Sequence, residues 1–553
     1  MDSAEHISDG SGRSTGLNVA LAVVAGGLLG LSFPPSPFYS LAYVSFIPFF
    51  FLFERMKSFW QLVRYSYLYL IIFNILTLYW TGGFTHMKDP YLMTAGGLLL
   101  VFHPFFLMPG ILLAWYVGKV LGRPWGLVSF IVLWVANEFV HSLSELSFPW
   151  ITIGNSQAYD LFRMQIVEYT SVYGLSVLLL VFNVLAYFWI RLTTSGRWRF
   201  VSLESGLTVF ALLLVYFVPW IYGRTVISKF ALPDSSNKFR VGLIQPNIDP
   251  FEKWGTNGNL YPLERQLGTH LDETRSLAAD SVDLVLWCET AIPFRVPAPS
   301  RLWIRSSLDS IGVPVLAGFP YQVLVDSAHA SATAQRIGGS ALYSEDYNSV
   351  MLLVPHTPVR EIYKKIKLVP FAERIPYAET LHFLVEPLKW SVGISGWGLG
   401  RDTVLFSMQS RNGARENFAG MICYESVFPD FVRQFVLRGA QFLVILTNDS
   451  WWGNTSGAYQ HMAFASLRAV ENRRWVVQCA NGGISGFVDP GGTIHQATTM
   501  YTSTTAWRDI EPRDGTTFYD RHGDLFAQVC LTIAGMFVAA SLVRQVQSRV
   551  RKP

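Results

Sequence analysis

Apolar residues in this chain follow two patterns, continuous in the first part and at the end, alternating between. Runs at 17–33, 38–53, 59–80, 91–117, 125–140, 167–190 and 203–222 carry few polar atoms. A helix of about 20 apolar residues crosses a ~30 Å hydrocarbon core, and each run reaches or approaches that length. The first run alone could be a secretory leader. However, no small-x-small cleavage site precedes the turn Phe33-Pro34-Pro35-Ser36-Pro37, and six further runs follow it. The pattern predicts seven transmembrane helices and, at 525–543, an eighth.

Between the seventh and eighth runs, short β-favouring stretches alternate with amphipathic ones. Strands are expected at 239–245, 282–287, 313–319, 349–354, 418–423, 442–447, 475–480 and 484–489, and helices at 263–279, 300–311 and 457–473. Such alternation predicts an α/β domain with sheets covered by helices. The expected organisation is a tail at 1–16, a seven-helix membrane domain at 17–223, an α/β domain at 224–523, an eighth helix at 524–544 and a tail at 545–553.

Charge between the runs sets an expected orientation. Arg55 and Lys57 follow the second run, Lys119 and Arg123 the fourth, and Arg191, Arg197 and Arg199 the sixth. Arg544, Arg549, Arg551 and Lys552 follow the last, whereas Lys88 and Arg163 stand nearly alone after the third and fifth. Cations accumulate on the cytoplasmic side, so both termini are expected there and the α/β domain outside. Of the 553 residues, 51% are hydrophobic and only 15% charged, which is too apolar for an ordinary soluble enzyme of this size. A net charge of +4 without a basic run argues against nucleic-acid binding.

Three positions in the α/β domain have the makings of chemistry. Cys423 ends the run FAGMICYE, where a strand-end thiol can serve as a nucleophile or lie inert in the core. Glu289 ends LVLWCE, where burial would suit its carboxylate to taking and returning a proton. Lys365, in YKKIKLVPFAE, could favour a thiolate and later stabilise an oxyanion. Taken singly, each is as readily a core thiol, a solvated acid or a loop cation. His461 reads as a polar helix-face residue rather than a partner for Cys423. The four cysteines, Cys288, Cys423, Cys479 and Cys530, show no CxxC spacing, and no HExxH or Cys/His cluster predicts a metal or cofactor. The stretch 389–400, KWSVGISGWGLG, can be a lid at the membrane interface or an ordinary glycine-rich loop.

Together these segments resemble the nitrilase, or carbon–nitrogen hydrolase, superfamily, and more closely its membrane-embedded branch, the apolipoprotein N-acyltransferases. The resemblance runs through FPWITIGNSQ, VGLIQPNI with Lys253-Trp254, LVLWCETAIP, YKKIKLVPFAERIP, ICYES, TNDSWWG, QHM…RAVENRR, ANGGISGFVDPGG and TFYDRHGD. It implies an αββα sandwich with Glu289 as proton acceptor, Lys365 as transition-state stabiliser and Cys423 as nucleophile. Glu373, Tyr424 and Glu425 would support them, and Trp254 and Trp451 would bind substrate. Cys288, Lys367 and Ala372 stand where the family usually has proline, histidine and glycine, so a second thiol is expected near the site. The implied reaction moves an acyl chain from the sn-1 ester of a phospholipid, through a Cys423 thioester, to the α-amine of a lipoprotein's diacylglyceryl-cysteine. The implied setting is the inner membrane of a diderm bacterium, with the domain in the periplasm, as a monomer without cofactor, metal or nucleic acid. A membrane-tethered amidase with the same triad, or an acyl-binding transporter or receptor, shares some of these features.

Overall fold

The computed structural model of the chain describes residues 5–85, 88–230, 238–254, 262–388 and 396–550. The membrane half comprises α1 (Glu5–Gly30), α2 (Phe46–Arg55), α3 (Phe59–Leu78), α4 (Pro90–Leu121), α5 (Arg123–Ser142), α6 (Val167–Thr194) and α7 (Leu203–Ile227). Their starts are marked locally. Ser58 accepts a bond from Gln61 N, Asp89 from Leu92 N ahead of Pro90, and Ser202 from Ser205 N.

Among the described residues, six helices are long and apolar enough to cross a membrane: the spans Phe59–Gly82, Pro90–Leu121, Arg123–Ser142, Arg163–Thr194, Leu203–Phe230 and Leu525–Val550. The eight expected helices are thus not all continuous spans. The apolar part of α1 is the shorter Ser14–Gly30. The second run is split into a 3-10 turn, Tyr39–Tyr43, and the ten-residue α2, which at 1.5 Å per residue is only about 15 Å long. The bundle closes through small residues: a Cβ on Gly126 of α5 would lie 2.8 Å from Gly118 Cα of α4.

Among its described residues the α/β half has thirteen strands: β1 (Phe239–Gln245), β2 (Leu284–Trp287), β3 (Val315–Asp326), β4 (Gln335–Arg336), β5 (Leu342–Leu353), β6 (Ile362–Lys364), β7 (Leu405–Gln409), β8 (Arg415–Ile422), β9 (Phe442–Thr447), β10 (Val476–Ala480), β11 (Gly486–Val488), β12 (Ile494–His495) and β13 (Thr504–Ile510). One sheet runs β13-β1-β2-β3-β5-β4 with β6 on β5; the other runs β12-β11-β10-β9-β8-β7. The strands β1, β2 and β3 are parallel neighbours, and so are β8, β9 and β10. The sheets meet face to face, with the Phe239 and Phe442 rings 5.1 Å apart and Cys479 Sγ 3.3 Å from Ile244 O. Helices α8 (Pro250–Trp254), α9 (Leu263–Ala279) and α10 (Arg305–Ile311) belong to the first half of the domain, α11 (Pro429–Leu437), α12 (Ser456–Asn472) and α13 (Phe518–His522) to the second, and α14 (Leu525–Val550) leaves it.

The helix α12 joins the two halves. All its residues but Tyr459 are buried, because one face covers the sheet and the other meets the bundle. Gln460 donates to Pro34 O and Thr77 O and accepts from Trp80 and Trp150 Nε1. Glu471 accepts from Val172 N, capping α6 where Ser171 breaks it at φ 57°.

Candidate active site

Both sets of parallel strands end toward the same place, the usual location of sites in α/β sheets. Glu289 follows β2, Lys365 follows β6, and Cys423 follows β8. All three line one cavity of about 90 Å³ together with Glu373, Asn348, Asn448, Trp254, Trp397, Trp451 and Trp452. The cavity also touches Leu92 of α4.

Cys423 begins a 3-10 turn with φ 51°, a strained left-handed backbone for a non-glycine residue. Glu425 holds this turn. Its Oε2 accepts from Ile422 N at 2.8 Å, and its Oε1 accepts from Tyr363 Oη, Ile366 N and Lys367 N at 2.5, 2.7 and 3.1 Å. The fully buried Glu425 therefore ties the cysteine turn to the segment carrying Lys365 without lining the cavity.

Lys365 Nζ donates to Glu373 Oε1 at 2.8 Å and Glu289 Oε1 at 3.3 Å. Glu373 Oε2 accepts from Val369 N, and its carbonyl accepts from Gly396 N and Trp397 N. Burial works against the Lys365 ammonium, but Glu289 and Glu373 outweigh it and hold its pKa above the ordinary lysine value. Burial raises the Glu289 carboxyl, with Lys365 opposing. Burial also pushes the Cys423 thiol well above its ordinary value, and Glu289 adds to this. Cys423 is thus held as a thiol beside a carboxylate that gains by taking its proton, an arrangement suited to general-base-assisted attack on a carbonyl.

The model of the apolipoprotein N-acyltransferase N-terminal domain matches residues 25–185, and that of carbon–nitrogen hydrolase matches 240–528. The apolipoprotein N-acyltransferase of Chlorobaculum tepidum is 35% identical over 95% of this chain and 96% of its own. The chain belongs to the apolipoprotein N-acyltransferase family. The family member of Geobacter metallireducens is 30% identical over 94% of each chain. A solved amidase from Nesterenkonia sp. aligns with 54% of this chain and 98% of its own, at 16% identity and a TM-score of 0.37.

Membership makes the chain an acyltransferase enzyme of the nitrilase superfamily with a membrane part. The remaining expected residues divide by position. Trp254 and Trp451 do line the cavity. Tyr424 does not: its ring stacks on Phe148 at 5.9 Å and its hydroxyl donates to Ser147 O at 2.8 Å, pinning the cysteine turn to the membrane half. Cys288, next to Glu289 in the chain, is buried and does not line the cavity, whereas Cys423 does. Of the glycine-rich stretch, 389–395 lies outside the described residues; beyond it, Trp397 reaches the cavity and Gly400 N donates to Lys365 O.

Sequence reasoning missed two features. His461 is not on a polar helix face but fully buried, with Nδ1 3.0 Å from Asp449 Oδ1 and Nε2 2.9 Å from Ser426 Oγ and 3.2 Å from the Cys423 carbonyl. Its environment follows from the covering of α12 by the bundle, which a helical periodicity does not reveal. Asn348, on β5, donates to Glu289 Oε1 at 2.7 Å and Glu373 Oε1 at 3.2 Å. A lone asparagine in YNSV gives no sequence signal of that bridging position.

Proposed function

We propose that this enzyme moves an acyl chain from the sn-1 ester of a phospholipid to the α-amine of the N-terminal diacylglyceryl-cysteine of a lipoprotein, by a ping-pong reaction through Cys423. Glu289 takes the thiol proton as sulfur attacks the ester carbonyl; Lys365, with the Tyr424 backbone N–H, stabilises the oxyanion. The ester C–O bond breaks, the proton passes from Glu289 to the departing lysophospholipid alkoxide, and a thioester remains. The acceptor amine then attacks that carbonyl, losing a proton to Glu289. The C–S bond breaks, and the proton returns to Cys423 as the amide leaves. Glu373 and Glu425 support the triad, and Trp254 and Trp451 contact the acyl substrates.

The observation carrying this reading is the convergence of Glu289, Lys365 and Cys423 on a cavity that also includes Leu92 of a membrane helix. Two acyl substrates that stay in a bilayer require such a placement.

The finer topology belongs to the same proposal: eight crossings, both termini cytoplasmic, and the 224–523 domain in the periplasm of a diderm bacterium's inner membrane. In support, Arg55 Nε donates to Asn18 Oδ1 at 2.7 Å, so the end of α2 returns to the level where the apolar part of α1 begins. The Tyr39–Tyr43 turn and α2 together make a second crossing. The protein acts as a monomer, without cofactor or nucleic acid.

The test is transfer in vesicles containing the purified enzyme, a phospholipid of defined acyl chains and a diacylated lipopeptide. Triacylated peptide and lysophospholipid should appear in equal amounts, and Cys423→Ala should make neither. Release of free fatty acid instead of peptide product would support a tethered hydrolase and contradict the transferase.

A further inference from the structure

Glu289 sits in a group with an imbalance of charge. Two carboxylates, Glu289 and Glu373, face one ammonium, Lys365, and all three are at least nine-tenths buried. Lys365 contacts only one oxygen of each acid, Oε1 in both cases. Asn348 Nδ2 contacts the same two oxygens from the opposite partner strand, so two donors and two acceptors close a ring.

The Asn348 amide has one chemically acceptable orientation here, because turning its oxygen to the carboxylates would set acceptor against acceptor. That orientation leaves Asn348 Oδ1 buried without a hydrogen-bond partner among the described residues. A buried acceptor left unpaired carries a cost in stability, and the two bonds of Nδ2 are what it is exchanged for. Glu289 Oε2, in contrast, has no hydrogen bond to the described residues, while the residue lines the cavity. One oxygen of the carboxylate is held and the other is left for chemistry.

We propose that Asn348 is the positioning residue for the proton acceptor: its side-chain N–H keeps Glu289 ionised next to Glu373 and aims the free oxygen at Cys423. The proposal rests on Glu289 being the base, as in the preceding reading. Lysine alone would have to serve two carboxylates without it. Other charged or titratable groups facing Glu289 are few. Lys365 and Glu373 belong to the ring, Cys423 comes from the end of β8, and Cys288 precedes Glu289 in the chain. Lys253 of α8 donates to the Glu289 carbonyl at 3.2 Å and to Thr290 Oγ1, not to the carboxylate. Asp449 acts on Cys423 from the end of β9. None of these replaces the donor Asn348 supplies.

A hydrogen bond to an ionised carboxylate is of a size that moves its titration by about one to two pH units. The experiment is the pH dependence of single-turnover acylation of Cys423, followed by intact mass on the full-length enzyme in lipid vesicles from pH 5 to 10. In Asn348→Ala the acidic limb should move up by about one pH unit or more, lowering the rate about tenfold at pH 6 and restoring it to within about threefold at pH 9. Asn348→Leu fills the volume that alanine vacates, so a fold lost to a void in one variant is kept in the other; the same shift is expected. Alkylation of Cys423 by iodoacetamide should show the shift too, and it needs no lipid donor. Acylation absent in the wild type with this alkylation shift retained would count against the lipid reaction, not against Asn348. A rate lowered by the same factor at every pH, or an unmoved limb in both assays, would overturn the proposal.

Discussion

At the scale of single residues, the site works because burial and charge are set against each other. Burial raises the Glu289 carboxyl, so its base form is present above that raised value and fades as pH falls through it. Acylation by the wild-type enzyme should therefore fall on the acid side with a midpoint above the ordinary glutamate value of about 4.3. Lys365 is held above its ordinary value, so no alkaline loss should come from it within the accessible range. A midpoint at or below the ordinary value in the acylation profile would refute this assignment of the base. Glu289→Gln, which keeps size but not basicity, should lower acylation about 10²- to 10⁴-fold with the melting temperature little changed. Behind the thiol, His461→Ala removes the ring that contacts Ser426 and the Cys423 carbonyl and leaves Asp449 buried opposite a void. It should cost about 1–3 kcal/mol in denaturant unfolding, and more acylation rate than that loss of folded protein explains.

At the scale of elements, the local signals were legible wherever the chain's own periodicity set the outcome. The expected strands at 239–245 and 442–447 and the helix at 263–279 coincide with β1, β9 and α9. Each is defined by its own apolar pattern. The ladder of β13 went unseen because its residues are half-buried without alternation up to Ile510, and that of β7 because its alternation rests on two buried residues, Phe406 and Met408, in a run of five. Likewise, Glu289, Lys365 and Cys423 were legible through motifs, whereas Asn348 and His461 depend on contacts from distant segments. Glu471 shows the same limit: it pairs with Arg468 on its own helix and caps α6 from 299 residues away. Glu471→Ala should destabilise the protein by about 3–5 kcal/mol, since it leaves a buried arginine uncompensated and a helix end bare. Thermal unfolding in detergent checks this, and an unchanged transition would show that the cap is dispensable.

At the scale of the whole molecule, the two halves are fastened at the site itself. Tyr424 reaches Ser147, and Gln460 joins α12 to the Pro34 and Thr77 carbonyls. The cysteine turn is therefore tied to the bundle through Tyr424 as well as to its own domain through Glu425. The topology is open to labelling in a Cys423→Ala background, where the three remaining native cysteines are buried and off the cavity. On the proposed topology, Ser327→Cys at an exposed position should react with an impermeant maleimide once the outer membrane is opened, and Ser195→Cys only after the inner membrane is broken; the reverse order would contradict that topology.

The proposed transfer requires a covalent intermediate at Cys423. Intact-mass spectrometry of the enzyme after incubation with a phospholipid of defined acyl chains reads it directly. A single added acyl mass is expected, absent in Cys423→Ala and discharged by a diacylated lipopeptide much faster than by water. No acyl adduct, or one that persists in Cys423→Ala, would contradict it.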